Sequence, residues 1–393
     1  MTTVAESDAE AAGDSGRPIF VELFLDLVYV FALFSLTKTL ASDLSWTGIA
    51  RTLVLLFAFA LIWALTTWVG GALGLERPSV RGHIIGVAAA SLLMASAAPG
   101  AFGDRGLLFA CTYAFIHFSS IVYFLLYARD PAASRRNGRI AVWDALGAVG
   151  WIAGGLVEGP ARLGIWALAI AVEYTAAVLG WPVPGLGRSK SMEWQLGGER
   201  VSERYRQFVV VAFGAAILTT GTTFSQHEYT LDRGYALAVV FTIVVLMWRI
   251  YIYRAGELLT EAIARSADPP LLTRAAAVCH LVMVAGVVGV AVASDLVVVR
   301  PFGDTPPSWA TVLLGGPALF LIGRGLLDYT VFGRVSRSRV LGLVLLAGAA
   351  PASSVLPPVL VALLAMIVLA LIAVANLVAT RLHPRTAAPP ALG

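Results

Sequence analysis

Long apolar runs follow one another along the chain, separated by short polar stretches. By the criterion of roughly 20 apolar residues per bilayer crossing, about twelve runs qualify. They lie at about 19–37, 49–70, 80–98, 106–128, 140–157, 162–181, 205–224, 234–254, 272–294, 309–331, 339–355 and 358–380. Helices satisfy their backbone hydrogen bonds within one segment, so runs of this length predict an all-α, polytopic transmembrane bundle. Pro351, Pro357 and Pro358 interrupt the last pair. That pair reads either as two helices with a tight turn or as one broken helix, which would make eleven spans. Residues 182–204 and 255–271 are the longest connections, and neither could hold a soluble catalytic module.

These breaks predict an acidic disordered tail at 1–17, a first membrane half at 18–181, a cytoplasmic linker at 182–204, a second half at 205–381 and a C-terminal tail at 382–393. A faint echo joins the halves. Glu22, Phe24, Val28 and Val30 of span one match Glu203, Tyr205, Val209 and Val211 of span seven. Both spans run in the same direction, which fits a parallel six-plus-six repeat, although two apolar helices can also share valines by chance.

Composition agrees with the pattern. Hydrophobic residues make up 58% and charged residues 13%, and the mean hydropathy is +0.81. No water-soluble core could hide that much apolar surface. The net charge of +4 follows topology and gives no reason to expect a nucleic-acid partner. Sorted by loop, twenty Lys and Arg residues fall on the side of the N-terminus and six on the other, while Arg249 and Arg324 lie within spans. The positive-inside rule then places both termini in the cytoplasm of a cell-membrane protein and favours an even number of spans. Residues 1–16 lack a basic region, so no cleavable signal peptide is expected. Cys111 and Cys279 both lie in apolar runs and read as buried free thiols.

Candidate chemistry begins in the first run. Glu22 and Asp26 lie one helical turn apart on one face of a segment long enough to span. Ionisable groups at membrane depth are costly and mark cavities, pathways or polar partners. The pair reads as a proton or cation site, or as a buried anchor for a membrane arginine; both readings stay open. Arg249 and Arg324 are the arginines within spans, although Arg249 could snorkel to the headgroups and Arg324 could pair with Asp328 one turn on. Glu173 is the deepest acid, near the middle of span six, and predicts a functional cavity there. Asp144 sits nearer an interface. His83, His117 and His280 read singly as packing residues and together with the acids as a proton relay. Nothing in the spacing predicts a metal or a cofactor. Walker A, GxSxG and TVGYG motifs are absent, which argues against ATP-driven transport, a serine hydrolase and a potassium-type filter.

The opening VELFLDLVYVFAL resembles the start of the bacterial low temperature requirement protein A (LtrA) family. ERYRQFVVVAFGAAIL (203–218) is similar to that family's second hallmark. HLVMVAGVVGVAV (280–292) and LLGGPALFLIG (313–323) are similar to its late helices. The resemblance runs in order from about 18 to 380 and implies a bacterial multi-span membrane protein. Glu22, Asp26, Glu203 and His280 match its pattern. Two positions depart from it. The family's Gly-Glu-Ser in span seven is Gly214-Ala215-Ala216 here, and a histidine late in span one is replaced near Thr37 and Lys38. The family name denotes growth in the cold and implies no chemistry.

The reading that leads is a secondary transporter or permease for a small or lipid-like solute, with membrane lipid and that solute as partners. Its pathway candidates are Glu22, Asp26, Glu173, Glu203, His280, His117, Arg249 and Arg324. A membrane-embedded enzyme acting on lipid or isoprenoid substrates is the alternative, with buried Glu, Asp and His as acids and bases. A non-catalytic membrane factor is the third reading.

Overall fold

The computed structural model describes residues 20–127, 131–189, 198–253 and 255–382. The tails expected at 1–17 and 382–393 lie outside them, Leu382 excepted. The described residues form thirteen α-helices and no β-sheet. The first six are α1 (Phe20–Ser42), α2 (Trp46–Leu73), α3 (Pro78–Ala97), α4 (Gly106–Leu126), α5 (Pro131–Leu156) and α6 (Pro160–Leu179). Then come α7 (Gly198–Ser225), α8 (Leu231–Tyr251), the short α9 (Ala255–Arg265), α10 (Pro269–Val299), α11 (Pro307–Phe332), α12 (Arg337–Ala349) and α13 (Pro358–Leu382). Six of them begin on proline, whose fixed φ suits the first helical position and whose missing N–H would be unsatisfied there anyway. Side chains hold other starts. Ser45 accepts a hydrogen bond from the Gly48 amide, and Asp268 from that of Leu271.

Ten helices are long and apolar enough to cross a membrane. The expected spans at 140–157 and 339–355 are not among them. The first belongs to α5, whose N-terminal third carries Arg135, Arg136 and Arg139. The second shrinks to the 13 residues of α12, followed by a 3-10 turn at Pro351–Ser354. The prolines thus make two helices and a turn. Two connections also differ from expectation. Residues 198–204 of the expected linker are the first turns of α7, and 190–197 lie outside the described residues. Within 255–271, α9 buries Leu259, Ala262 and Ile263 and leaves Arg265 outward.

The helices before and after the 182–197 connection show a similar order of neighbours. α1 packs on α2 and α3, α3 on α4, α4 on α5, α5 on α6, and α6 on α2. In the second half α7 packs on α8 and α10, α10 on α11, α11 on α12, α12 on α13, and α13 on α8. The halves meet where α1 lies against α7 and α10. α1 and α7 run parallel and touch along their length, from Glu22 and Arg200 at one end to Lys38 and Thr223 at the other.

α10 and α11 approach each other closely, and glycines allow it. A Cβ at Gly286 would fall 2.5 Å from the Phe320 nitrogen, and one at Gly316 would fall 2.8 Å from the Val290 nitrogen. Small residues allow such approach in lipid, where apolar burial no longer draws helices together. Pro317 follows Gly316 inside α11 and removes one backbone donor there. Gly286→Val should therefore destabilise the protein by about 1–3 kcal/mol, as overpacking does. Gly221→Ala, with open space around its Cβ position, should not. Detergent-solubilised thermal unfolding, read as loss of the monodisperse peak, checks the pair.

Candidate functional site

The candidate site is the seam between the halves, and its geometry follows from matched spacing. Glu22 and Asp26 stand one turn apart on α1. Arg200 and Arg204 stand one turn apart on α7. Because the helices run parallel, the two pairs fall into register. Arg200 Nη2 donates to Glu22 Oε1 at 2.8 Å. Arg204 grips Asp26 with two bonds, Nη1 to Oδ2 at 3.0 Å and Nη2 to Oδ1 at 3.1 Å. This two-pronged geometry is what a guanidinium and a carboxylate favour. The Arg204 side chain is only 2% exposed and that of Asp26 8%.

α2 completes the cage. Trp63 Nε1 donates to Asp26 Oδ1 at 3.1 Å. The Arg204 guanidinium lies 4.7 Å from the centre of the Trp63 ring, which itself stacks on Phe208. Arg204 also donates to Thr67 Oγ1 and Gln207 Oε1. Gly70 clears the space beside the second pair, since a Cβ there would stand 3.2 Å from Arg200 and 3.3 Å from Glu22.

A different ion pair closes the far end of the seam. Lys38 Nζ of α1 donates to Asp295 Oδ1 of α10 at 2.8 Å and to Thr223 Oγ1 of α7 at 3.2 Å. The Thr223 hydroxyl donates to the same carboxylate oxygen. Asp26 and Lys38 are twelve residues apart, about 18 Å along a helix. Charge therefore joins the halves at both ends, with apolar packing between. Midway, the Cβ position of Gly214 lies 3.4 Å from Val30. Ala215 and Ala216 beside it are buried and bring no acid to the seam.

The other sequence candidates disperse. Arg324 is fully buried but sits with Asp328 and with the carbonyls of Ile250 and Tyr253 at the end of α8. Arg339 approaches the same Asp328 at 3.6 Å and donates to Asn376 Oδ1 at 3.0 Å. Arg249 is half-buried on α8. The acids of α1 thus meet Arg200 and Arg204, where the sequence offered Arg249 and Arg324. His280 is saturated, with the Tyr251 hydroxyl 3.1 Å from Nε2 and the Ala276 carbonyl 2.6 Å from Nδ1. Glu203 pairs with Arg206 at 3.6 Å on an open face. Glu173 and His117 share a pocket of α4, α5 and α6, away from the seam. Glu173 Oε2 accepts from Tyr113 at 2.8 Å and Trp151 at 3.3 Å. His83 stacks on Tyr123, and Cys279 contacts Thr330. Among the described residues, no group of three or more His, Cys, Asp and Glu could hold a metal ion.

Sequence reading missed Arg200, Arg204, Trp63 and Asp295. The signal for the arginines was there. Their spacing repeats that of Glu22 and Asp26, but placing 197–204 in a loop concealed it. An apolar cleft of about 310 Å³ also opens on the outer face between α7 and α8, lined by Val210, Phe213, Ile217, Phe241, Val245 and Trp248.

Ten apolar helices around buried charge define a multi-pass helical membrane protein. Residues 19–374 match the family described as Bacterial low temperature requirement A protein (LtrA), and the chain belongs to that family. It is also similar to the uncharacterized protein RA0937 of Rhizobium meliloti (strain 1021). The two are 35% identical over 314 residues, which cover 79% of this chain and 76% of the relative.

Removing one partner of a buried pair leaves the other charge uncompensated. Arg204→Met should therefore cost about 3–5 kcal/mol of stability. Asp26→Leu combined with Arg204→Met should recover much of that loss, and Arg249→Met should change little. Unfolding titrations of the four proteins in mixed micelles measure the loss and its recovery.

Proposed function

We propose that the protein is a secondary transporter or permease for a small or lipid-like solute, whose two halves rock against each other about the α1–α7–α10 seam. The observation that supports this reading is the pair of charge latches at the two ends of that seam. One is Asp26–Arg204 with Glu22–Arg200, and the other is Lys38–Asp295 with Thr223. Two latches about 18 Å apart, with small and apolar residues between, suit a seam that opens at one end while the other stays shut. The matching order of neighbours supports a six-plus-six parallel repeat, in which α5 and α12 are the fifth helices of their halves and α9 is an insertion. With the termini inside, as the arginine distribution favours, the Asp26 latch faces the cytoplasm and the Lys38 latch faces outward. In this reading Glu22 and Asp26 are gate residues and do not form the ion site.

Accessibility tests the reading without a known solute. Single reporters are placed at Ala212, two turns inside Arg204, and at Thr219, one turn inside Thr223, in a background without Cys111 and Cys279. Both positions are buried. Asp26→Asn should raise labelling of Ala212→Cys by an impermeant maleimide from the cytoplasmic side and lower that of Thr219→Cys from outside. Lys38→Met should do the reverse. If neither variant changes labelling and both only melt earlier, the latches are static glue, and the non-catalytic membrane factor becomes the better account.

A further inference from the structure

A buried titratable cluster in the first half lies away from the seam, and it differs from the latches in kind. At the latches each carboxylate has its own cation. Inside the first half, Glu173 has none. Its Oε2 accepts from Tyr113 and Trp151, while its Oε1 is buried with no hydrogen-bond partner. Gly147 of α5 makes the room, since a Cβ there would stand 2.1 Å from that oxygen. His117 lies one turn beyond Tyr113 on α4, its ring 4.4 Å from the tyrosine ring. Its Nδ1 is 3.4 Å from Asp144 Oδ2 of α5, a charge contact that is not aligned as a hydrogen bond, and Nε2 also lacks a hydrogen-bond partner. Glu173 and His117 are each more than nine-tenths buried.

The groups facing Glu173 come from every neighbouring helix. α4 brings Tyr113 and His117, and α5 brings Asp144 and Trp151. α6 adds Tyr174, whose hydroxyl turns away to the Phe57 carbonyl of α2. Two carboxylates and one imidazole therefore share a buried site, and no Arg or Lys is among the groups acting on Glu173 or His117. Uncompensated charge is costly there, and the missing positive charge must come from a small mobile ion. The pocket lacks the donor set for a metal ion, as no qualifying group exists among the described residues. A proton needs only one lone pair, and the unpartnered atoms of Glu173, His117 and Asp144 offer it.

We propose that Glu173, His117 and Asp144 form a proton-binding site inside the first half, and that the proton is the coupling ion of transport. The second clause rests on the permease reading, and the first does not. A proton from water binds at Glu173 or His117 and returns to water from the same pocket, so no other reactant is involved.

Infrared difference spectroscopy on full-length protein in lipid nanodiscs, stepped in pH, tests the site. A protonated-carboxyl band should rise and fall with pH. It should vanish in Glu173→Gln, which keeps an acceptor for Tyr113, and persist in Asp26→Asn. Tyr113→Phe should keep the band and displace its frequency. If Glu173→Gln does not fold, His117→Gln must move the titration midpoint of the band. A wild-type protein with no such band, or a band that survives Glu173→Gln, overturns the site. Labelling and proteoliposomes then separate the two clauses. If the band behaves as expected while Asp26→Asn and Lys38→Met leave the labelling of Ala212→Cys and Thr219→Cys unchanged, the site stands and the permease reading falls. A proton flux undiminished in Glu173→Gln overturns the coupling assignment.

Discussion

The Asp26–Arg204 pair is the contact on which the two halves depend. Neither charge could remain in its place alone. A carboxylate and a guanidinium at this burial are tolerated because each satisfies the other, and Trp63, Thr67 and Gln207 take up further bonding positions. Their demand for each other fixes the register of α1 against α7 to within a helical turn. Once that register is set, Glu22 must meet Arg200, Val30 must meet Gly214, and Lys38 must meet Thr223. Apolar surfaces could slide past one another in lipid, where no hydrophobic force holds helices together. Directional, charged contacts cannot.

The same logic accounts for what the sequence disclosed and what it hid. Apolar run length located ten of the crossing helices, because lipid imposes one length on all of them. The runs at 140–157 and 339–355 fall outside those ten, because the arginines of α5 and the prolines beyond α12 change composition within the helix. The acids of α1 were visible as anomalies, since any charge in an apolar run stands out. Arg200 and Arg204 were not, because charges near a span end look like ordinary flanking residues until the helix is seen to start at Gly198. Asp295 was hidden for the same reason at the end of α10. Glu173 could be placed at depth from sequence, whereas its company could not. Tyr113 lies 60 positions away, and the contact depends on how three helices meet.

Two buried corners of the bundle carry opposite charge. Where α4, α5 and α6 meet, the first half buries two acids and a histidine. Where α11, α12 and α13 meet, the second half buries Arg324 and Arg339 around one acid, Asp328, with backbone carbonyls and Asn376 making up the difference. One three-helix corner is thus acid-rich and the other arginine-rich. Arg162 shows how a lone cation is accommodated in this chain. It donates to the carbonyls of Ala101, Gly103, Gly154 and Val157 and uses helix ends in place of a carboxylate.

The register of α1 and α7 also imposes an order of events on biosynthesis. The partners Asp26 and Arg204 are separated by 178 residues of chain. At about 5–20 residues per second of synthesis, α1 emerges about 9–36 seconds before its arginines exist. During that interval its two acids have no counter-charge from α7. Both lie in the first two turns of α1, and a charge near the end of an apolar helix can stay at the interface until its partner arrives. The nascent first half is therefore an unfinished object, and seating α1 at its final depth belongs to the moment when α7 arrives.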